Sequence, residues 1–202
     1  MNNKQPYHHG NLYDSLLQEA NAILKRDGVE GLSLRKLGEA LGVSRTAAYH
    51  HFANKNALLC ALAEEGFHQL NHLMQRIQWA PDIPLDHYLL QFVKGYLSFA
   101  IEHPARYELM FGRAIWQRME PTSSLKSTAH DSFRAYAERM QTLLNTINPE
   151  HNKQPLRVAQ VTWGMLHGLC RFMLDGIYGT SKDMSSISQE AAAMLSSYLH
   201  QQ

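Results

Sequence analysis

Apolar residues recur every three or four positions along most of the chain, within stretches that contain no proline. This spacing places apolar side chains on one face of an α-helix, whereas proline interrupts a helix interior. The prolines lie at Pro6, Pro81, Pro84, Pro104, Pro121, Pro149 and Pro155. No segment alternates persistently between apolar and polar residues as a strand would. The pattern therefore predicts an all-α protein of about nine helices.

The amino-terminal part of the pattern predicts three helices joined by short turns. The first helix starts near Leu12, and Gly28 is placed where a left-handed residue ends a helix. Ser33 can cap a second helix, which Gly42 closes. Ser44 can cap a third, from about 45 to 51, and the tight turn between the second and third helices is typical of a helix-turn-helix.

Longer helices are expected beyond this part. We predict them at roughly 55–78, 85–102, 105–118, 122–147, 155–177 and 185–200. The first of these has no internal proline, so we expect a continuous helix rather than a flexible linker between the two parts. We divide the chain into a domain of residues 1–56 and a carboxyl-terminal helical bundle of residues 57–202.

Positive charge is concentrated in one short segment, which the net charge of the whole chain does not show. The formal net charge is only +1, which by itself does not indicate a nucleic-acid partner. Between residues 33 and 55, however, Arg35, Lys36, Arg45 and Lys55 face Glu39 alone, an excess of three positive charges. A basic pair of short helices favours a helix-turn-helix that presents one helix to the major groove. The alternative is a solvated helical hairpin whose charges have no partner.

Other classes of protein find little support. The two cysteines cannot form a disulfide scaffold, the first residues are polar, and no run of about 18 apolar residues occurs, so we expect a cytoplasmic protein without membrane contact. No phosphate-binding glycine loop, nucleophile elbow or dinucleotide motif is present, so we expect no enzyme and no cofactor. Glu64, His68 and His72 share a helix face, but a solvated face is favoured over a metal site.

Two runs of residues carry a resemblance to a known family. Residues 31–59 read GLSLRKLGEALGVSRTAAYHHFANKNALL, and residues 163–168 read WGMLHG. The first run closely resembles the operator-binding region of TetR/AcrR-family transcriptional regulators, most specifically in the segment from Tyr49 to Leu59. The second is similar to the carboxyl-terminal domain type of that family named for Trp-His-Gly. The resemblance implies an amino-terminal DNA-binding domain and a carboxyl-terminal domain for ligand binding and dimerisation.

Base-reading residues are expected at the start of the third helix. Arg45 can bind guanine O6 and N7 with two hydrogen bonds, and the methyl groups of Thr46 and Ala47 can contact a thymine methyl. A phosphate contact is the alternative for Arg45. For Arg35, at the rim of the groove, the resemblance permits a base contact, and a phosphate contact is the alternative.

Phosphate contacts are expected around these residues. The resemblance implies them for Tyr49 and His51, while His50 can reach either a base or a phosphate. Lys55 begins a helix whose amide groups can face a phosphate together with its ammonium group. Ser44 either does the same or only caps its helix. Tyr7, His8 and His9 precede the first helix, either as an arm along the DNA or as a frayed terminus.

The second domain is larger than a DNA-reading module requires, and it is rich in methionine and tryptophan. Such a bundle can enclose an apolar small molecule, although an ordinary filled core is the alternative. The candidate effector residues are polar anchors and apolar walls: His103, Tyr107, Met110, Trp116, His130, Trp163 and His167. Trp163 and His167 can equally have a purely structural role.

The last two helices carry small residues that permit close packing. Gly164 and Gly168 lie four apart, and Ala192 lies in an alanine run of the last helix. The resemblance implies that these helices form a four-helix interface in a twofold homodimer. The combined expectation is a repressor that binds a pseudo-palindromic operator and is released by a small, largely apolar effector. An activator of the same family, or a ligand-sensing or scaffolding protein without specific DNA binding, is the alternative.

Overall fold

The computed structural model describes residues 12–80, 82–177 and 179–201, with the side chains of residues 45 and 181 excepted. Every regular element within those residues is a helix, which confirms the predicted all-α class. The α-helices are α1 Leu12–Gly31, α2 Leu34–Ala40, α3 Arg45–His51, α4 Lys55–Arg76, α5 Leu85–Glu102, α6 Pro104–Phe111, α7 Arg113–Trp116, α8 Ser123–Ile147, α9 Pro155–Asp175 and α10 Met184–His200. A short 3-10 helix, Ser181–Asp183, precedes α10.

Capping side chains set the beginnings of the short helices, as the sequence predicts. The Ser33 Oγ accepts a hydrogen bond from the Lys36 N–H at 3.1 Å at the start of α2. Gly42, with φ of 65°, follows α2 and allows the chain to turn sharply into α3. Gly28 also has a positive φ, 67°, but helical backbone resumes beyond it and α1 ends only at Gly31.

Packing divides the chain into two compact units. Unit 1 consists of the described residues up to Glu65 together with Ala105–Leu125, and unit 2 of Gly66–Pro104 together with the described residues from Lys126 onward. Helix α4 contributes its first half to unit 1 and its second half to unit 2. The functional boundary after residue 56 stays a prediction.

Unit 1 has a core of apolar side chains from the first three helices and from the segment 105–125. Leu16, Leu37, Ala48, Phe52 and Tyr107 are each at most 3% exposed. Polar contacts fasten α4 within this unit: the Asn56 Nδ2 donates to the Glu120 carbonyl at 2.7 Å. The Glu64 carboxylate accepts from the hydroxyls of Thr122 at 3.1 Å and Ser124 at 2.9 Å.

The single helix predicted over 105–118 is wrong, because two short helices occupy this segment. Gly112 adopts extended backbone, φ −83° and ψ 171°, between α6 and α7. The Trp116 Nε1–H donates to the Met110 carbonyl at 2.7 Å, which folds α7 back toward α6. Glycine lacks the side chain that would resist this bend.

Unit 2 is a helical bundle built around α5. This helix packs against α9 and α10. It buries Tyr88, Phe92, Tyr96 and Phe99 along one face and Leu89 and Val93 on the adjoining face. Its predicted bounds, 85–102, are confirmed. Within the described part of the chain, no helix combines the length and apolar character needed to cross a membrane.

Candidate nucleic-acid interface

The exposed side of α3 carries polar side chains in helical register. Thr46, Tyr49 and His50 are all exposed and lie at i, i+3 and i+4, whereas Ala48 is fully buried against the rest of unit 1. We call Thr46, Tyr49 and His50 the α3 face. A helix with one buried face and one exposed polar face has the form required for insertion into a DNA groove.

Ser44 fixes the beginning of α3. Its Oγ accepts a hydrogen bond from the Ala47 N–H at 3.1 Å, so the capping role predicted for it is present. Ala47 itself is half-buried and directly follows Thr46 of the α3 face in the chain. The backbone of Arg45 forms the first residue of α3, but its side chain lies outside the described part of the structure, as do Tyr7, His8 and His9.

Charged and aromatic side chains flank the α3 face. Arg35 is exposed and forms an ion pair with Glu39 at 3.3 Å, an exposed pair that is weak enough to give way to a phosphate. Lys55 is half-buried at the first position of α4. His51 is exposed, and its ring lies 6.1 Å, centroid to centroid, from Tyr13 of α1.

A second capping residue positions Lys55. The Asn54 Oδ1 accepts from the Ala57 N–H at 2.9 Å and so starts α4 directly after α3. All described members of the predicted DNA-binding set therefore lie between α2 and the first turn of α4, within unit 1. Their contacts with DNA stay predictions.

The predicted effector residues do not assemble around one cavity. Tyr107 and Met110 are fully buried in the core of unit 1, beside the half-buried Trp116. His130 is exposed on α8. Residue type alone selected these positions, and packing within unit 1 accounts for the first three.

Trp163 and His103 each line a cavity in unit 2. Trp163 lines a cavity of about 30 Å³ among α4, α5, α8 and α9, which we call the Arg139 cavity after its charged lining residue. His103 lines a more open cavity of about 280 Å³ between α4 and α5, together with Phe99, Glu102 and other residues. His167 is half-buried on α9 and lines neither of these cavities.

Arg139 and its neighbours are the residues that sequence reasoning missed. The Arg139 Nη1 donates to the Ile77 carbonyl at 2.6 Å and to the Tyr88 hydroxyl at 3.0 Å. Burial raises the pKa of Tyr88 and of Tyr136, so both phenols stay neutral hydrogen-bonding groups. The signal in the sequence was an arginine three residues after Tyr136 on the inward side of α8, beside the buried Met140.

The predicted interface residues of α9 and α10 have contrasting environments. A Cβ at Gly164 or Gly168 would have no neighbour within 4 Å, and Val161 on the same helix is 66% exposed. Ala192, by contrast, is only 2% exposed and is buried in its own chain, so it offers no surface to a partner. On α10, Met194 is 64% exposed and Tyr198 is 36% exposed.

Glu64, considered above as a metal ligand, is engaged in hydrogen bonds with Thr122 and Ser124. Across residues 12–80, 82–177 and 179–201, the structure groups no three His, Cys, Asp or Glu side chains in a way that could hold a metal ion.

Family comparisons match both parts of the chain. Residues 16–62 match the family model described as bacterial regulatory proteins, tetR family, and residues 89–195 match the tetracyclin repressor-like, C-terminal domain. Tetracycline repressor class A of Escherichia coli is 51% identical over 51 residues, which cover 25% of this chain and 24% of that protein. The transcriptional repressor AcnR of Corynebacterium glutamicum is 28% identical over 82% of this chain and 79% of its own.

Solved structures give the same picture for the fold. A protein of unknown function from Rhodococcus sp. RHA1 has a TM-score of 0.83 and 29% identity, covering 98% of this chain and all of its own. A TetR transcriptional regulator from Legionella pneumophila has a TM-score of 0.65 and 17% identity over 93% and 98% of the two chains. The curated relatives are transcriptional repressors rather than enzymes, which supports a non-enzymatic role at the level of the family.

Proposed function

The chain belongs to the tetR family of bacterial regulatory proteins, and from this premise we propose that it is a ligand-responsive repressor that binds a pseudo-palindromic operator as a homodimer. The observation that carries the proposal is the α3 face, three exposed polar side chains on a helix whose other side is buried. The matched residues 16–62 include this helix completely. As a regulator of transcription, the protein would act in the cytoplasm, where its DNA lies.

The proposed DNA contacts combine base reading with phosphate anchoring. Arg45, Thr46 and Ala47 read base edges, because the first turn of a recognition helix lies deepest in the groove. Tyr49 and His51 donate to phosphates, and His50 contacts a base or a phosphate. The capped helix starts support this assignment, since Ser44 and Asn54 hold α3 and the start of α4 in fixed orientations.

Phosphate contacts are also proposed for three side chains outside α3. Arg35 would exchange its weak pair with Glu39 for a phosphate or a base at the rim of the groove. Lys55 would meet a phosphate at the start of α4, and Ser44 would do so in addition to capping α3.

Dimerisation is proposed through α9 and α10. Gly164 and Gly168 have open space above their Cα atoms, and Val161 and Met194 are exposed apolar side chains on these two helices. Large apolar side chains that a monomer exposes together mark an interaction surface. In a twofold dimer the two recognition helices would be held about one turn of DNA, roughly 34 Å, or a multiple apart.

The effector would act by favouring a dimer geometry that does not fit this spacing. Helix α4 is the proposed link, because the same helix begins at Lys55 and supplies Leu70 and Met74 to the Arg139 cavity. We also assign the carboxyl-terminal domain to the Trp-His-Gly type, on the basis of the run from Trp163 to Gly168 in α9.

A gel-shift titration with the DNA upstream of the protein's own gene tests the DNA-binding function. The wild type should bind, and its affinity should fall steeply as salt rises, because phosphate contacts release counterions. Tyr49→Phe should lose about fivefold to tenfold in affinity through one phosphate bond, and Arg45→Ala about tenfold to a hundredfold. A reporter under the same upstream DNA should rise in activity when the gene is deleted.

Arg134→Ala is the matched control, because Arg134 is an exposed arginine of α8 in unit 2, paired with Asp131. Its affinity for the upstream DNA should equal that of the wild type. Unchanged binding in both Arg45→Ala and Tyr49→Phe would refute the assigned contacts. A wild type without salt-dependent DNA affinity would instead identify a ligand-sensing or scaffolding bundle, and a fall in reporter activity on deletion would identify an activator.

A further inference from the structure

The Arg139 cavity has an unusual balance of charge for a site inside a helical bundle. Its described lining residues include one cation, Arg139, and no carboxylate. Four of the other lining residues are aromatic: Phe92, Tyr96, Tyr136 and Trp163. A cavity of this kind favours a ligand with a negative group and an apolar body.

Among the described residues, no carboxylate pairs with the charge of Arg139. Its recorded partners in the described part of the chain are the Ile77 carbonyl, the Tyr88 hydroxyl and the face of the Phe92 ring, whose centroid lies 5.4 Å from the guanidinium carbon. All three are uncharged, and Arg139 is half-buried. A partly desolvated cation without a counter-charge gains more from an incoming anion than an exposed one does.

The hydrogen-bonding pattern of Arg139 leaves a specific edge available. A guanidinium has five N–H donors, two of them on each terminal nitrogen and one on Nε. Both hydrogen bonds to Ile77 and Tyr88 come from Nη1, so the edge formed by Nε and Nη2 has no recorded protein partner. That edge presents two parallel donors, the geometry that matches the two oxygens of a carboxylate.

The Ser132 and Tyr136 hydroxyls in the cavity already have hydrogen-bond partners. The Ser132 Oγ donates to the Asn71 Oδ1 at 2.6 Å, and the Tyr136 hydroxyl donates to the Thr162 Oγ1 at 2.7 Å. Two tyrosines meet Trp163 edge to face, Tyr96 at 5.6 Å and Tyr136 at 4.9 Å between ring centroids. The aromatic walls therefore offer flat apolar surface, and Arg139 is the charged lining group that remains for contact with a ligand.

We propose that the effector is an organic carboxylate with a flat aromatic body, bound through the Nε and Nη2 edge of Arg139 with that body against Trp163. This inference rests on the proposed function as a ligand-responsive regulator. A single negative charge matches the single cation, whereas a doubly charged phosphate would leave one charge buried without a partner.

Entry of such a ligand requires the cavity to enlarge. Its present volume of about 30 Å³ is room for one water molecule. Met74 and Gln75, both on α4, are the lining side chains best able to move, because they are long and unbranched and Gln75 is exposed. Ligand binding would thus act directly on α4.

Isothermal titration calorimetry of the full chain with three matched probes tests the proposal. Phenylacetate, phenylacetamide and phenethylamine share a ring and a short side chain and are anionic, neutral and cationic. Phenylacetate should bind about tenfold or more tightly than the amide, the difference expected for a charge-assisted bond, and the amine should not bind. Equal or tighter binding of the amide or the amine, or no binding of any probe, would overturn the proposal.

Variants of Arg139 locate the bound anion. Arg139→Met should weaken phenylacetate binding about tenfold to a hundredfold. The affinity of Arg139→Lys should lie between those of the wild type and Arg139→Met, because lysine keeps the charge but lacks the two parallel donors of the guanidinium. Arg134→Met, an exposed and ion-paired arginine of the same helix, should bind as the wild type does. Unchanged affinity in a folded Arg139→Met or Arg139→Lys protein would overturn the proposal. If circular dichroism shows that the Arg139→Met protein is unfolded, the Arg139→Lys variant and the three probes test the proposal instead.

Gel shifts of the unliganded protein separate this inference from the function on which it rests. If the upstream DNA is bound but phenylacetate is not, the anion site alone is refuted. If the upstream DNA is not bound, the proposed function fails whatever calorimetry shows.

Discussion

At the scale of single residues, Ser33 and Ser44 have equivalent local roles. Each precedes a seven-residue helix, and each accepts a hydrogen bond at 3.1 Å from a backbone N–H three residues later. Only Ser44 adjoins the α3 face, so a DNA contact is proposed for Ser44 and not for Ser33. Comparing variants of the two serines therefore distinguishes the capping role from the DNA-binding role.

Alanine substitution of either serine should lower the free energy of unfolding by about 1 kcal/mol, since one capping bond is lost. Urea denaturation measures this effect. In gel shifts only Ser44→Ala should also lose affinity for the upstream DNA, by about fivefold, because a phosphate donor is removed. Equal DNA affinity in the two variants would show that Ser44 has only a capping role.

At the scale of elements, the bend between α6 and α7 depends on the absence of a side chain. A Cβ built at Gly112 would lie 2.3 Å from the Glu108 carbonyl oxygen, a backbone atom that cannot easily move. Gly179, which also lies outside the α-helices, differs in this respect, because its Cβ would meet only the Ile187 Cδ1 at 3.4 Å. The two glycines are a matched pair for the cost of the bend.

Gly112→Ala should lower the free energy of unfolding by about 1 to 3 kcal/mol, because the new methyl group would collide with the Glu108 carbonyl oxygen. Gly179→Ala should stay within about 0.5 kcal/mol of the wild type. Chemical denaturation of both variants checks the difference. A Gly112→Ala protein as stable as the wild type would mean that residues 104–116 straighten at no cost.

Whether the bounds of a helix can be predicted from the sequence depends on whether local or distant contacts determine them. Residues such as Ser33, Gly42 and Ser44 act through local backbone geometry, so the bounds of α2 and α3 could be read from the sequence. The break at Gly112 could not, because it depends on the hydrogen bond from Trp116 to Met110, and glycine also occurs within regular helices.

The same distinction separates the candidate sites. The α3 face lies on one short helix and follows from its register. The Arg139 cavity is formed by side chains from four helices, from Leu70 to Trp163, so residue type alone gave no means of assembling it. Residue type predicts Tyr107 and Met110 as lining of an effector pocket, but both belong to the core of unit 1.

At the scale of the whole molecule, the exposed apolar side chains of α9 and α10 determine the proposed assembly. Val161 and Met194 are 66% and 64% exposed, and a Cβ at Gly164 or Gly168, on the same helix as Val161, would have no neighbour within 4 Å. Met119 in unit 1 is also exposed, at 39%, but lies outside these helices. It provides a control for the effect of a surface charge.

Val161→Glu combined with Met194→Glu should convert the dimer to a monomer, because an interface would have to bury two unpaired carboxylates from each subunit. Sedimentation velocity measures the change, and affinity for the upstream DNA should fall with it, since one molecule then presents one recognition helix. Met119→Glu should remain dimeric. Dimers in the double variant would place the interface elsewhere.

The membership of residues 105–125 in unit 1 bears on how the operator specificity of this protein could be exchanged by engineering. Within that unit the Asn21 Nδ2 and the Arg106 guanidinium both approach the Glu65 carboxylate, at 2.8 and 3.9 Å, and Asn56 bonds the carbonyl of Glu120. A chimera joined directly after residue 65 would separate Glu65 from Arg106 and Asn56 from Glu120, and would remove Tyr107 and Met110 from the core. A transplantable DNA-reading module therefore consists of two stretches of the gene, and both must be transferred together.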